Sequence, residues 1–199
     1  MKIAVCASGP SLTKEDCDKA RELCDVVIAV NDTWRMVDAD HLYGADRTWW
    51  LMHNDAVSAE FRGKKWSCET PGNSNWGRDR ADLMGITLIN CQIDPNKSEG
   101  LSIDPEWVNS GGNSGYQAIN LALHLGAKTI ILLGFDMCWN GGKAHWFGNH
   151  PAGLNNAEPD RYIPAFRTIK PEKYGIEIIN CSRFTAIDAF PRQTIDELL

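Results

Sequence analysis

Short apolar runs alternate with polar, turn-forming stretches along the chain. Lys2-Ile3-Ala4-Val5-Cys6 reads as a buried strand and runs into a glycine-containing turn, Ala7 to Leu12. Thr13 is an N-cap type residue with Asp16 three positions on, and Cys17, Ala20, Leu23 and Cys24 keep helical spacing behind it. A second strand, Val26 to Val30, follows at once and ends at Asn31-Asp32. Such a β-loop-α-β unit opens a doubly wound sheet.

A third strand covers His41 to Ala45 and ends at Asp46, and Lys64 to Cys68 and Ile86 to Cys91 read as further short strands. The turn-rich stretch from Pro71 to Arg80 and the region from Asp94 to Gly112 read as loops. Ser114 to Leu125 is the clearest helix, mostly apolar, with Gly126 at its C-terminal end. Thr129 to Leu133 is apolar throughout, as the centre of a parallel sheet requires, and ends at Gly134-Phe135-Asp136. A helix at Arg161 to Ile169, a strand at Ile176 to Asn180 and a C-terminal helix at Thr194 to Leu199 complete the pattern. Residues 137–160 are too long and too polar for a simple connector, which predicts a lid-like functional excursion from one α/β domain spanning residues 1–199.

Composition narrows the class. The 199 residues are 43% hydrophobic and 23% charged, as expected of a folded globular chain. No apolar run reaches the roughly 18–20 residues of a membrane span, and the start of the chain is too short in apolar length for a signal peptide. The expected compartment is the cytoplasm. A net charge of −6 without a basic run disfavours an extensive nucleic-acid surface. The seven cysteines form no C-x-x-C pair, so a structural zinc site of ordinary spacing is not expected. Cys6, Cys68, Cys91 and Cys181 fall in or beside apolar strands and read as small core residues.

Open parallel sheets bind ligands at the carboxyl ends of their strands, and the polar residues collect there. Gly9, Pro10 and Ser11 follow the first strand, Asn31 and Asp32 the second, Asp46 the third, and Asp136 the apolar strand. Asn113, Ser114 and Gly115 stand at the entry to the buried helix. Glycine and serine before a helix N-terminus suit an anion, and both loops are candidates for the phosphates or ribose of a nucleotide. Neither matches the dinucleotide or P-loop fingerprint. His145 and His150 lie in the excursion, and a neutral histidine suits deprotonation of a hydroxyl. Their spacing is not that of a helical zinc site, and no metal ligand set is predicted. Asp38-Ala39-Asp40 precedes a strand, at the wrong sheet edge for a metal-nucleotide site. His124 reads as a core histidine, and His41 and His53 have no supporting cluster.

The run Ala7-Ser8-Gly9-Pro10-Ser11-Leu12 resembles the Gly-x-Gly-Pro-Ser-Leu opening of the bacterial family 42 sialyltransferases. It is equally similar to the DUF115 family, which includes an archaeal 6-hydroxymethylpterin pyrophosphokinase. The resemblance continues in islands at Asn31, Ser114-Gly115, Leu133 to Asp136 and Ile179 to Ser182. It implies a Rossmann-like nucleotide-binding fold, with Gly9, Pro10, Ser11, Asn31, Ser114 and Gly115 on the nucleotide of a nucleotide-activated sugar and His145 or His150 as the base. Tyr162 is the candidate counterpart of the tyrosines that assist the leaving phosphate. Ala7 stands where the family has its first glycine. The implied reaction is metal-independent sugar transfer to a hydroxyl. The pterin enzyme implies instead Mg²⁺-dependent diphosphate transfer with Asp46 or Asp136 near the phosphates, and a nucleotide-capturing protein would keep the polar crescent without a base. The short chain fits a phage-encoded member, and a homo-oligomer is compatible with it.

Overall fold

The strands form because their residues are apolar on both faces. In β1 (Lys2–Cys6), Ile3 and Val5 enter one hydrophobic core while Ala4 and Cys6 enter the other. β2 (Val26–Val30) and β7 (Thr129–Leu133) divide their side chains in the same way. Two-sided burial of this kind is what a parallel sheet with covered faces needs. Each such aliphatic side chain contributes about 1.5–3 kcal/mol relative to exposure.

The computed structural model describes residues 1–71, 76, 78–154 and 158–199. Within them, β3 is His41–Tyr43, β4 Lys64–Glu69, β5 Ile86–Gln92, β6 Trp107–Asn109 and β8 Glu177–Asn180. The eight strands make one sheet in the order β6-β5-β4-β3-β2-β1-β7-β8. Every pairing within it is parallel. The chain runs outward from β1 to β6, then returns to the other side of β1, so the topological switch lies between β1 and β7. This is a Rossmann-like α/β sheet. Among the described residues no helix is long and apolar enough to cross a membrane.

Helix α1 (Lys14–Leu23) is capped by Thr13, whose side chain accepts the Asp16 N–H, and lays Cys17 and Ala20 on the sheet beside Ala4, Cys6 and Ala29. On the opposite face α4 (Ser114–His124) packs Ile119 and Ala122 over β1 and β2. The remaining helices are α2 (Arg47–Glu60), α3 (Arg78–Leu83) and the single turn α5 (Ile163–Phe166).

Several expectations change. The region 94–112, read as loop, contains β6, which pairs with β5 through Asn90↔Trp107. Residues 78–80 belong to α3; positions 72–75 and 77 of the expected loop lie outside the described residues, as do Asn155 and Asn156 of the excursion. The helix expected over 161–169 is a 3-10 turn, Pro159–Tyr162, followed by α5 alone. Proline at both starts lets each turn begin without continuing the previous one. The C-terminal helix is a 3-10 turn, Ile195–Leu198. All seven cysteines are free thiols. Asp40 sits at the amino edge of β3, where it accepts the Val27 N–H at 2.8 Å and the Arg21 guanidinium at 2.6 Å. His124 is half-buried at the end of α4, with its Nε2 2.9 Å from the Ser102 carbonyl oxygen.

Candidate functional site

The first loop and the loop after β7 interlock by backbone. The Ala7 N–H donates to Leu133 O at 2.8 Å and the Gly9 N–H to Gly134 O at 2.8 Å. Gly134 is left-handed (φ +68°), and a Cβ there would lie 2.4 Å from the Ala7 carbonyl oxygen. Beneath this contact the fully buried Asp136 accepts the Ser11 N–H at 2.7 Å and the Ser11 hydroxyl at 2.8 Å. Residues near the C-terminus hold the other side: Ser182 Oγ accepts the Phe135 N–H, the Thr185 hydroxyl donates to Phe135 O, and the Ala186 N–H donates to Asp136 O. The switch-point crevice is thus closed by a structural clamp.

A cavity of about 380 Å³ opens beside the clamp, over the carboxyl ends of β1, β2 and β3 and against the start of α4. This is the size of a small-molecule site. Of the residues singled out by sequence, Gly9, Asn31, Asp46, Asn113, Ser114 and Gly115 line it, together with His145 and His150. Pro10, Ser11, Asp32 and Asp136 do not. Ser11 and Asp136 are spent on one another, and Asp32 is buried behind the wall with its Oδ2 accepting the Trp49 indole N–H at 2.8 Å.

The expected phosphate seats are already occupied by the protein. At α4 the Asn113 side chain accepts the Gly115 and Tyr116 N–H groups at 2.8 and 3.2 Å. The Ser114 hydroxyl accepts the Ala45 N–H at 3.2 Å, tying β3 to the helix start. In the first loop the Gly9, Ser11 and Leu12 amides are bonded within the protein. Among the described residues lining the cavity there is no lysine or arginine, and Asp46 is the one acid. Asp46 also caps α2, accepting the Thr48 N–H at 2.8 Å. Two lining residues other than glycine have left-handed backbone, Asn31 (φ 49°) and Met137 (φ 47°). Strain of this kind collects at functional sites.

The described part of the excursion folds onto the strand ends. Asn140 and Lys143 exchange backbone hydrogen bonds around Gly141-Gly142, both left-handed, which makes a two-residue hairpin. Further on, the Trp146 N–H donates to Ser8 O at 3.0 Å and its indole to the Thr33 hydroxyl at 3.4 Å. These ties place the His145 ring parallel to Phe147 at 5.0 Å and 4.5 Å from His150. Burial, reinforced by His150 and opposed by Asp32 and the Ser8 backbone, pulls His145 down to about 4. Burial lowers His150 as well. Both rings are neutral at pH 7. Tyr162 also reaches the cavity.

Two participants were not singled out by the sequence reading. Trp49 lines the cavity, and His53 packs tilted against it at 4.9 Å between ring centres, with Nε2 3.9 Å from Asp32 Oδ1. Both come through α2, whose apolar residues have no helical stripe. The Asp46-Arg47-Thr48 start, an N-cap residue before a helix, was the signal available.

Buried Asp136 and half-buried His145 give opposite pH dependences. Burial pushes Asp136 up to about 6 against its two Ser11 hydrogen bonds. The folded state therefore holds that proton longer than the unfolded chain, and stability from Asp136 falls as pH rises from about 3.8 to about 6. For His145 the unfolded chain binds the proton first, so its stability contribution rises between about pH 4 and 6.5 and is lost on acidification. Asp136→Asn is expected to make the protein more acid-sensitive than the parent by about 2 kcal/mol between pH 7 and 4.5. Urea unfolding at the two pH values measures it, and an unchanged difference would refute the buried-acid assignment.

The chain matches no family model, no curated protein and no solved structure in these comparisons.

Proposed function

We propose that this protein is a transferase that binds a nucleotide-activated sugar in the cavity and passes the sugar to a hydroxyl acceptor. One observation carries the reading: two neutral histidines, 4.5 Å apart, stand on the wall of a polar cavity at the carboxyl ends of a Rossmann-like sheet. A neutral imidazole accepts the acceptor's hydroxyl proton as the oxygen attacks the sugar carbon, and the sugar–phosphate bond breaks with its electron pair on the phosphate. In this reading the Asn31 amide and the Tyr162 hydroxyl, both on the cavity wall, donate to the departing oxygen. Donors already fixed in place stabilise such charge without reorganising.

A second reading, Mg²⁺-dependent diphosphate transfer, draws on Asp46, an exposed carboxylate at the cavity. The donor set fits it less well. Asp136 is sealed with Ser11 beneath the first loop, and among the described residues no three His, Cys, Asp or Glu side chains gather as a metal site. A capture protein remains the non-catalytic counterpart of both.

The three readings separate in one panel. CMP-, UDP- and GDP-sugars are incubated with the protein in EDTA and assayed for nucleotide release, beside ATP with Mg²⁺ assayed for AMP. Release in EDTA is the expected result. AMP formation with Mg²⁺ would replace it by the second reading, and a thermal shift without turnover by capture.

A further inference from the structure

We propose that Arg161 and Arg47 form a phosphate-binding rim at the cavity mouth, one on each side of the α4 start. This deepens the transferase reading and rests on it: the donor's uncharged nucleoside lies inside the cavity, and its phosphate lies at the rim.

The wall poses the problem. It carries one acid, Asp46, and no cation among the described residues. A nucleotide-activated sugar carries at least one negative phosphate, which such a wall leaves unpaired at a cost. Countercharge comes nearest at the α4 start. On one side is the Tyr162 ring, part of the wall, and a Cβ on Gly112 would lie 3.6 Å from it. The Arg161 guanidinium stands over that ring, 5.3 Å from its centre, in a cation–π contact. On the other side the Ala45 N–H donates to the Ser114 hydroxyl at 3.2 Å, and Asp46 and Arg47 follow directly.

Both cations lack a partner within the protein. Arg21, Arg35, Arg167 and Arg183 each face a carboxylate. Arg62 and Arg192 are tied to backbone carbonyls. Arg161, Arg47 and the exposed Arg80 of α3 have neither kind of partner among the described residues, and the first two adjoin wall residues. Arg47 is half-buried, and its Nε is buried without a hydrogen-bond partner. An orphaned buried donor is costly, and a ligand oxygen relieves that cost. The neighbouring acids are engaged elsewhere. Asp46 accepts the Thr48 N–H at 2.8 Å, and Glu158 accepts the Trp139 indole N–H at 2.8 Å. The planar fork of a guanidinium bonds phosphate oxygens in pairs. When the sugar–phosphate bond breaks, the electron pair stays on the phosphate, so the rim meets more negative charge after transfer than before.

The test is calorimetry on cytidine and CMP, uridine and UMP, and guanosine and GMP, at low and high NaCl. The proteins are the parent, Arg161→Gln, Arg161→Lys and Arg47→Gln. In the parent one nucleotide should bind about tenfold or more tighter than its nucleoside, and salt should erode that ratio. Arg161→Gln should cut the ratio about fivefold, Arg161→Lys less, and Arg47→Gln about threefold, with nucleoside affinity within about twofold throughout. An unmoved ratio in both glutamine variants overturns the rim, and so does a parent that binds nucleoside and nucleotide equally or binds neither. Loss of nucleoside binding in a folded Arg161→Gln protein also overturns it, since the residue then shapes the wall. Should Arg47→Gln not fold, the exposed Arg161 decides alone. The same samples are assayed for nucleotide release from CMP-, UDP- and GDP-sugars. Release with an unmoved ratio fails the rim alone, and a moved ratio without release fails the transferase reading alone.

Discussion

Exchange of His145 for asparagine is expected to lower turnover of a nucleotide-sugar donor by roughly 10²–10⁴, with nucleotide affinity nearly unchanged. The ring is seated by its parallel contact with Phe147 and by His150. Asparagine keeps some polarity there but takes no proton. The pH profile supplies an independent check. An ordinary histidine base would lose activity below about pH 6.5. His145 is instead held near 4 by burial and by His150, so kcat/KM should stay flat well below pH 6 and fall only toward about pH 4. The same profile and rate are measured for His150→Asn. If that variant takes the loss, the cavity keeps its role and the base is His150. If neither slows a demonstrated reaction, the histidine-base mechanism is wrong.

Gly9→Ala is expected to destabilise the fold by about 3 kcal/mol or more, at the upper end of what overpacking costs. A Cβ at position 9 would lie 2.3 Å from Asp136 Oδ1 and 2.4 Å from the Gly134 carbonyl oxygen. Neither neighbour can retreat. Asp136 is pinned by Ser11, and Gly134 is locked between Ala7 and Gly9. Chemical denaturation measures the loss. A variant as stable as the parent would show that the two loops are not in backbone contact. It follows that larger residues at Gly9 test the clamp before they test any ligand, whereas Asn31 and Asp46 can be changed to probe the cavity itself.

The central strands were legible because burial on both faces leaves an unbroken apolar run, as in Thr129–Leu133. The crescent of polar residues at their ends was legible for the same reason: once the strands are placed, parallel topology decides which edge each loop joins. Helix α2 was not legible. Trp49 and Trp50 are buried side by side while Leu51 and Met52 face outward, so no apolar stripe repeats. With α2 went His53 and Trp49. The division of labour within the crescent was hidden too, because it depends on pairings such as Ser11 with Asp136, 125 positions apart. Residue type alone marked both as polar and functional; only their proximity shows that they consume each other's hydrogen-bonding capacity. Short islands at Leu133 to Asp136 and Ile179 to Ser182 likewise prove to be parts of the clamp.

The clamp between β1 and β7 has a consequence for how such a chain can diversify. Ser11, Asp136 and Ser182 hold the sheet's two halves together away from the cavity, while Gly9 and Gly134 belong both to the clamp and to the cavity wall. Libraries randomised at His150 should retain a higher proportion of folded members than those at Asn31, where the backbone is left-handed, or at Asp46, which caps α2, whereas libraries at Gly9 and Gly134 should collapse to glycine under selection for folding alone. Selection for folding alone should thus hold the two clamp glycines fixed while leaving His150 on the cavity wall free to vary.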